Sequence, residues 1–154
     1  MSDERDPTPA TPPSDEPGPS LLTERTLLGI FIHPVALLTG FFGPAFVYFL
    51  TEHEFTQANA RNALNWHLFY TGAWLIMLGA MFGWMGVVEL TPIPDVIALV
   101  MFVGLFITLL VVMLLMLLGL VFTLLATAKA IFGTAWEYPI APDLTAWIGS
   151  YWDR

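Results

Sequence analysis

From Val96 to Ala128 the chain runs for 33 residues without one charged side chain. As a helix this stretch is about 50 Å long, against a bilayer hydrocarbon core of roughly 30 Å. Two passes need about 40 residues plus a turn, so one long, tilted pass is expected. Gly104 and Gly119 are its candidate bends.

Two further stretches have the same character. Trp66 to Val88 carries no formal charge with His67 neutral, and proline is absent from Thr51 until Pro92. One helix can therefore start near Thr56 in the polar segment TEHEFTQANAR and continue as a second pass. Leu27 to Leu50 is the third apolar run, interrupted by Pro34 and by Gly43-Pro44. Proline removes a ladder hydrogen bond and disfavours helical geometry at the residue before it. One kinked pass, and an interfacial stub through His33 followed by a tighter pass from Pro34, are both readings of this run; the kinked pass is expected. Thr23 is the expected N-cap, ahead of Glu24. Glu89 to Asp95, with two prolines and two carboxylates, reads as a turn between the last two passes.

The expected fold is all-α: a polytopic transmembrane helical protein of three passes, about residues 27–50, 66–88 and 96–128, the first kinked at Pro34 and Pro44. Residues 21–140 would form this domain. Residues 1–20 hold six prolines and five acids and predict a disordered acidic tail, a solvated leader with docking as its alternative role. Residues 141–154, with Trp147, Tyr151 and Trp152, predict an aromatic tail at the headgroup layer, where Trp136 and Tyr138 are also expected. Mean hydropathy of +0.71 fits a chain whose main partner is the lipid bilayer.

Charge excludes other partners. Thirteen acids face five bases, only one of them lysine (Lys129), which argues against nucleic acid and against a polybasic anchor. The acidic, lysine-poor balance suits a halophilic source. Cysteine is absent, so disulfides and thiolate chemistry are excluded. With three passes, Arg61 and Lys129 share one side and Arg25 takes the other. The positive-inside rule then puts the first loop and the C-terminus in the cytoplasm and the N-terminus outside.

Candidate chemistry is sparse. Glu52-His53-Glu54 has no second His at helical spacing and reads as a solvated loop, not a metal site. Polar residues within or beside the passes carry more weight, because each is costly in lipid unless paired. Gln57, Arg61 and Asn65 recur at i, i+4, i+8, Asn62 lies three before Asn65, and His67 and His33 follow in the second and first passes. A polar groove between the first two passes is one reading of these six residues. Interhelical hydrogen bonding is the plainer one. Gly72, Gly79, Gly83 and Gly86 fall near one helical face and predict close packing with another helix, in this chain, a second copy or a membrane-protein partner. No catalytic triad, phosphate loop, HExxH or dinucleotide fingerprint occurs, so no catalytic residue, metal or cofactor is expected.

His33-Pro-Val-Ala-Leu-Leu-Thr-Gly-Phe-Phe-Gly-Pro44, the following Tyr-Phe-Leu and Phe55 to Tyr70 resemble a prokaryotic membrane family of unknown function related to the chloroplast Tic-twenty import-channel component. Lys129-Ala130, Gly133 and Tyr138-Pro139 add to this resemblance, which covers about residues 27–140. Trp66-His67 stands in place of that family's Phe-Gln, Glu137 in place of an Arg, and the loop is acidic instead of Lys-rich. The resemblance implies a helical membrane protein with a role in protein transport. Together with the residue reading it gives a non-enzymatic scaffold or complex subunit, with an oligomeric pore or small-solute transporter as the alternative.

Overall fold

A computed structural model describes residues 25–152, and the expectations for the acidic tail and for Thr23 lie outside them. Five helices account for most of this length, and no strand occurs among the described residues. They are α1 (Leu27–Thr39), α2 (Phe42–Leu50), α3 (Glu54–Leu90), α4 (Asp95–Ile131) and α5 (Leu144–Trp152).

The first apolar run is not a pass. At thirteen and nine residues, α1 and α2 are about 20 and 14 Å long, too short to cross about 30 Å of hydrocarbon. The break falls at Gly40 (φ 61°), where an L side chain would be strained. Neither proline makes it. Pro34 lies inside α1 and costs one ladder bond, while buried Ile32, His33 and Ala36 hold the helix through it. Pro44 sits in the first turn of α2, where a missing N–H is harmless.

Thr26 caps α1, its Oγ1 accepting from the Gly29 N–H at 2.9 Å. The same hydroxyl meets Thr56 Oγ1 at 2.6 Å, pinning the start of α1 to the start of α3. A Cβ on Gly29 would lie 2.8 Å from the Phe55 ring, so the two backbones approach closely here. Further along, His33 reaches Asn59. These pairs run in the same direction, so α1 is parallel to α3. The second helix returns: Gln57 Nε2 donates to the Tyr48 and Thr51 carbonyls at 3.5 and 3.4 Å. Together α1 and α2 form a hairpin whose apex, Gly40-Phe41, lies beside the His67–Thr71 stretch of α3.

Both α3 and α4 have 37 residues, and each is long and apolar enough to cross a membrane. Only 6% and 11% of their most apolar stretches are buried, whereas the core helix of a water-soluble domain would be mostly covered. They run antiparallel, joined by residues 91–94. At the far end Arg25 Nη1 donates to the Ile131 carbonyl, which brings the start of α1 to the end of α4. Arg25 and Lys129 therefore share one end of the molecule. The expectation that Arg25 and Lys129 lie at opposite ends fails, because the run from 27 to 50 doubles back.

Packing is uneven along this axis. The hairpin, the first part of α3 and the last part of α4 bury Phe55, Ala60, Ala63, Trp66, Ala126 and Ala130. Beyond Thr71 on α3 and before Leu115 on α4, only Met77 and Val112 are buried. The expected packing glycines fall in or next to that sparse half. A Cβ on Gly72, Gly79, Gly83 or Gly86 would meet nothing within 4 Å, so no helix among the described residues fills their face. The close approach is made instead by Gly119, where a Cβ would lie 3.1 Å from the Trp66 indole.

Candidate functional site

The chain leaves α4 through Gly133 (φ 81°) and folds back over the bundle before α5 begins. Its aromatic residues do not simply lie at a headgroup layer. Tyr138 is inserted into the protein, 4% exposed, stacked on Trp66 at 5.4 Å with 13° between the rings. Phe122 meets both rings edge-on, and Trp136 packs on Phe122 and Tyr138. Burial pushes the Tyr138 phenol above its ordinary pKa, because a phenolate is poorly solvated there.

Beneath Tyr138 lies His33, with no exposed surface. Its Nδ1 is 3.0 Å from the Tyr138 hydroxyl and its Nε2 is 3.0 Å from Asn59 Oδ1. The Asn59 amide nitrogen donates to the Phe55 carbonyl at 2.9 Å, which fixes Oδ1 toward the imidazole. An amide oxygen only accepts, so Nε2 carries the proton; in the neutral ring Nδ1 then accepts from Tyr138. Both nitrogens are used, leaving none for a metal or a substrate.

Two residues of the polar stripe hold the C-terminal segment. Asn62 Nδ2 donates to the Trp136 carbonyl at 3.1 Å. Asn65 Nδ2 donates to Asp143 Oδ1 at 2.9 Å, while its Oδ1 accepts from the Thr145 N–H at 2.9 Å. Asp143 caps α5, accepting from the Ala146 N–H at 3.1 Å. Desolvation acts to raise its pKa, but bonds from Ala146, Thr145 and Asn65, with the Arg61 charge, outweigh this and hold the carboxyl below its ordinary value. Arg61 pairs with Glu137 at 3.7 Å in an exposed contact that contributes little to stability.

The six singled-out polar residues thus divide. Asn62, Asn65 and Arg61 face the returning segment, not a groove between the first two helices. Gln57 closes the base of the hairpin, and His33 meets Asn59 and Tyr138. His67 joins neither set of contacts, and its Nε2, like Arg61 Nε, is buried without a partner among the described residues. Asn59, Trp66 and Tyr138 are the members that the stripe did not contain. Phe55, Asn59, Asn62, Ala63 and Trp66 share one helical face, a spacing that could have marked the first two. Glu52 and His53 are exposed, and Glu54 opens α3, where a carboxylate suits the helix dipole. Among the described residues no group of three or more His, Asp or Glu side chains gathers to hold a metal.

An interlocked helical bundle with two membrane-length helices defines the class: a small helical protein of membrane type. Residues 24–145 match the model of the MamF/MmsF family, described as the magnetosome magnetite crystal formation protein family, and the chain belongs to that family. The match replaces the resemblance to the Tic-twenty-related family, whose short motifs, Ala63-Leu64-Asn65 and Tyr138-Pro139, do not separate one small helical membrane family from another. The protein-transport role implied by that resemblance falls with it, and the family match gives a halophilic source no support. No curated protein and no solved structure matches the chain.

Proposed function

We propose that this protein is a non-enzymatic scaffold of the magnetosome membrane that acts in magnetite crystal formation. Family membership over residues 24–145 carries the reading. The geometry supports it: His33, Asn59, Asn62 and Asn65 are engaged in bonds that lock elements together, as befits a platform more than a reaction centre. Its partners on this reading are lipid and other membrane proteins or further copies of the chain.

The protein sits with α3 and α4 crossing the bilayer and the α1–α2 hairpin entering and leaving on one side. Arg25, Arg61 and Lys129 then lie toward that side, together with the Thr51–His53 loop and α5. The positive-inside rule makes it cytoplasmic. The opposite side presents the short turn with Glu89 and Asp95.

Deleting the gene in a magnetite-forming bacterium tests the role: smaller or misshapen crystals by electron microscopy are expected, and unaltered crystals reject it. Single cysteines at Glu54, Asp95 and Ser150 test the arrangement, since the chain has none of its own. A membrane-impermeant thiol reagent should label Glu54→Cys and Ser150→Cys from one side and Asp95→Cys from the other. Labelling of Glu54→Cys and Asp95→Cys from the same side rules the arrangement out.

A further inference from the structure

The two ends of the molecule take up different areas of membrane. At one end α1, α2, α3 and α4 pack side by side, and α5 is tied on where Asn65 Oδ1 accepts from the Thr145 N–H. Towards the other end, the groove past Met77, Met81, Phe102 and Leu109 is walled, among the described residues, by α3 and α4 alone. A helix with its side chains is about 10 Å across, or about 80 Å² in section, so the broad end exceeds the narrow one by about 160 Å² before α5 is counted.

Depth and polarity confine the extra helices to one leaflet. The hairpin apex lies beside His67–Thr71, about 9–15 Å further along α3 than Arg61 at 1.5 Å per residue. With Arg61 at the interface, that is no deeper than the midplane of a hydrocarbon core about 30 Å thick. The hairpin belongs in this core and not above it. No Asp, Glu, Lys or Arg occurs from Thr26 to Thr51, and Leu38, Phe42, Phe46 and Phe49 are each two-thirds or more exposed. Acyl chains cover such a surface without the cost that water would incur. The re-entrant backbone is tolerated because both arms are helical and the turn packs against α3. A body that displaces lipid from one leaflet only is best accommodated where that leaflet is the wider one, on the outside of a bend. We propose that the protein prefers, and stabilises, membrane that is convex on the hairpin side. The inference rests on the arrangement across the bilayer proposed above and is independent of the role in crystal formation.

The test uses the full chain reconstituted in giant phosphatidylcholine vesicles, from which a narrow membrane tether is pulled outward. An impermeant thiol dye added outside marks hairpin-out copies through Glu54→Cys and hairpin-in copies through Asp95→Cys. Dye density in the tether relative to the vesicle body should rise about twofold or more for Glu54→Cys and fall below parity for Asp95→Cys, as curvature-sensitive insertion requires. Combining Leu38→Ala, Phe42→Ala and Phe46→Ala trims the inserted surface without touching a buried residue, and should bring the Glu54→Cys ratio back towards parity. Equal ratios for the two labels, or a ratio that this trimming leaves unchanged, would overturn the proposal. If the trimmed protein does not insert, Gly79→Leu with Gly83→Leu decides instead. These widen the narrow end where a Cβ meets nothing within 4 Å, so the ratio should fall, and an unchanged ratio rejects the proposal. The arrangement is checked separately with Glu54→Cys and Asp95→Cys in one chain. One dye per chain from outside is expected, so that equal ratios then count against the curvature preference alone. Two dyes per chain would refute the arrangement and the preference together.

Discussion

The two ends of the α3–α4 pair are built on different principles. At the hairpin end, Trp66, Tyr138, His33 and Asn59 form a continuous buried network that ties α1, α3 and α4 to the C-terminal segment. At the turn end, two helices run side by side with Met77 and Val112 as their only buried residues and with glycines facing open space. The first end specifies its structure by hydrogen bonds and shape, because polar groups held away from water must find partners. The second end needs no such network, since a helix satisfies its own backbone and its apolar side chains are at home in lipid.

The largest test of this contrast is Tyr138→Ala. It removes the ring stacked on Trp66 and leaves His33 Nδ1 unpaired, so a loss of about 3–5 kcal/mol is expected. Thermal unfolding in detergent should show it, and a variant as stable as the parent would dissolve the distinction between the two ends. Glycine substitutions sharpen it. Gly119→Val drives a side chain into Trp66 and should cost about 1–3 kcal/mol. Gly79→Ala meets nothing and should be neutral, or stabilise by up to about 1 kcal/mol through helix propensity. Equal effects at the two positions would mean that the turn end is packed as tightly as the hairpin end.

Smaller effects follow at the edges of the network. Thr26→Ala removes both the α1 cap and the link to Thr56, for about 1–2 kcal/mol, read by proteolysis of the hairpin. Asp143 gives a pH dependence. Its folded pKa is depressed below the ordinary value of about 3.9, so its contribution is fully present above that value and disappears as pH falls through the folded one. The group is exposed, so the effect should be below about 1 kcal/mol. Loosening of α5 below about pH 4, followed by Trp147 fluorescence, should vanish in Asp143→Asn. A midpoint above pH 5 would contradict the depressed pKa.

Legibility followed the same divide. The two long helices are written in uninterrupted apolar length, and α3 begins within two residues of the expected Thr56. The hairpin is not written so plainly. Pro34 and Pro44 are the conspicuous breakers, yet the chain turns at Gly40, because a buried face holds α1 through its proline while no packing bridges the glycine. The candidate polar residues could be picked out by their cost in lipid. Their partners could not, since Tyr138 lies 105 residues from His33 and nothing local announces the pairing. The glycine motif misled in the opposite sense: its spacing is conspicuous, but Gly29 and Gly119 make the close contacts.

Composition and apolar run length alone determined that this chain is helical, that two of its helices can cross a bilayer and that thiol chemistry is absent. These are properties of each segment's own transfer between water and lipid. Only the tertiary structure decided that the first apolar run doubles back, that the C-terminal segment plugs the bundle with Tyr138, and that His67 is left with an open bond. Those outcomes depend on which distant groups meet, and a hydrogen bond or a close glycine contact has no energy until its partner is in place.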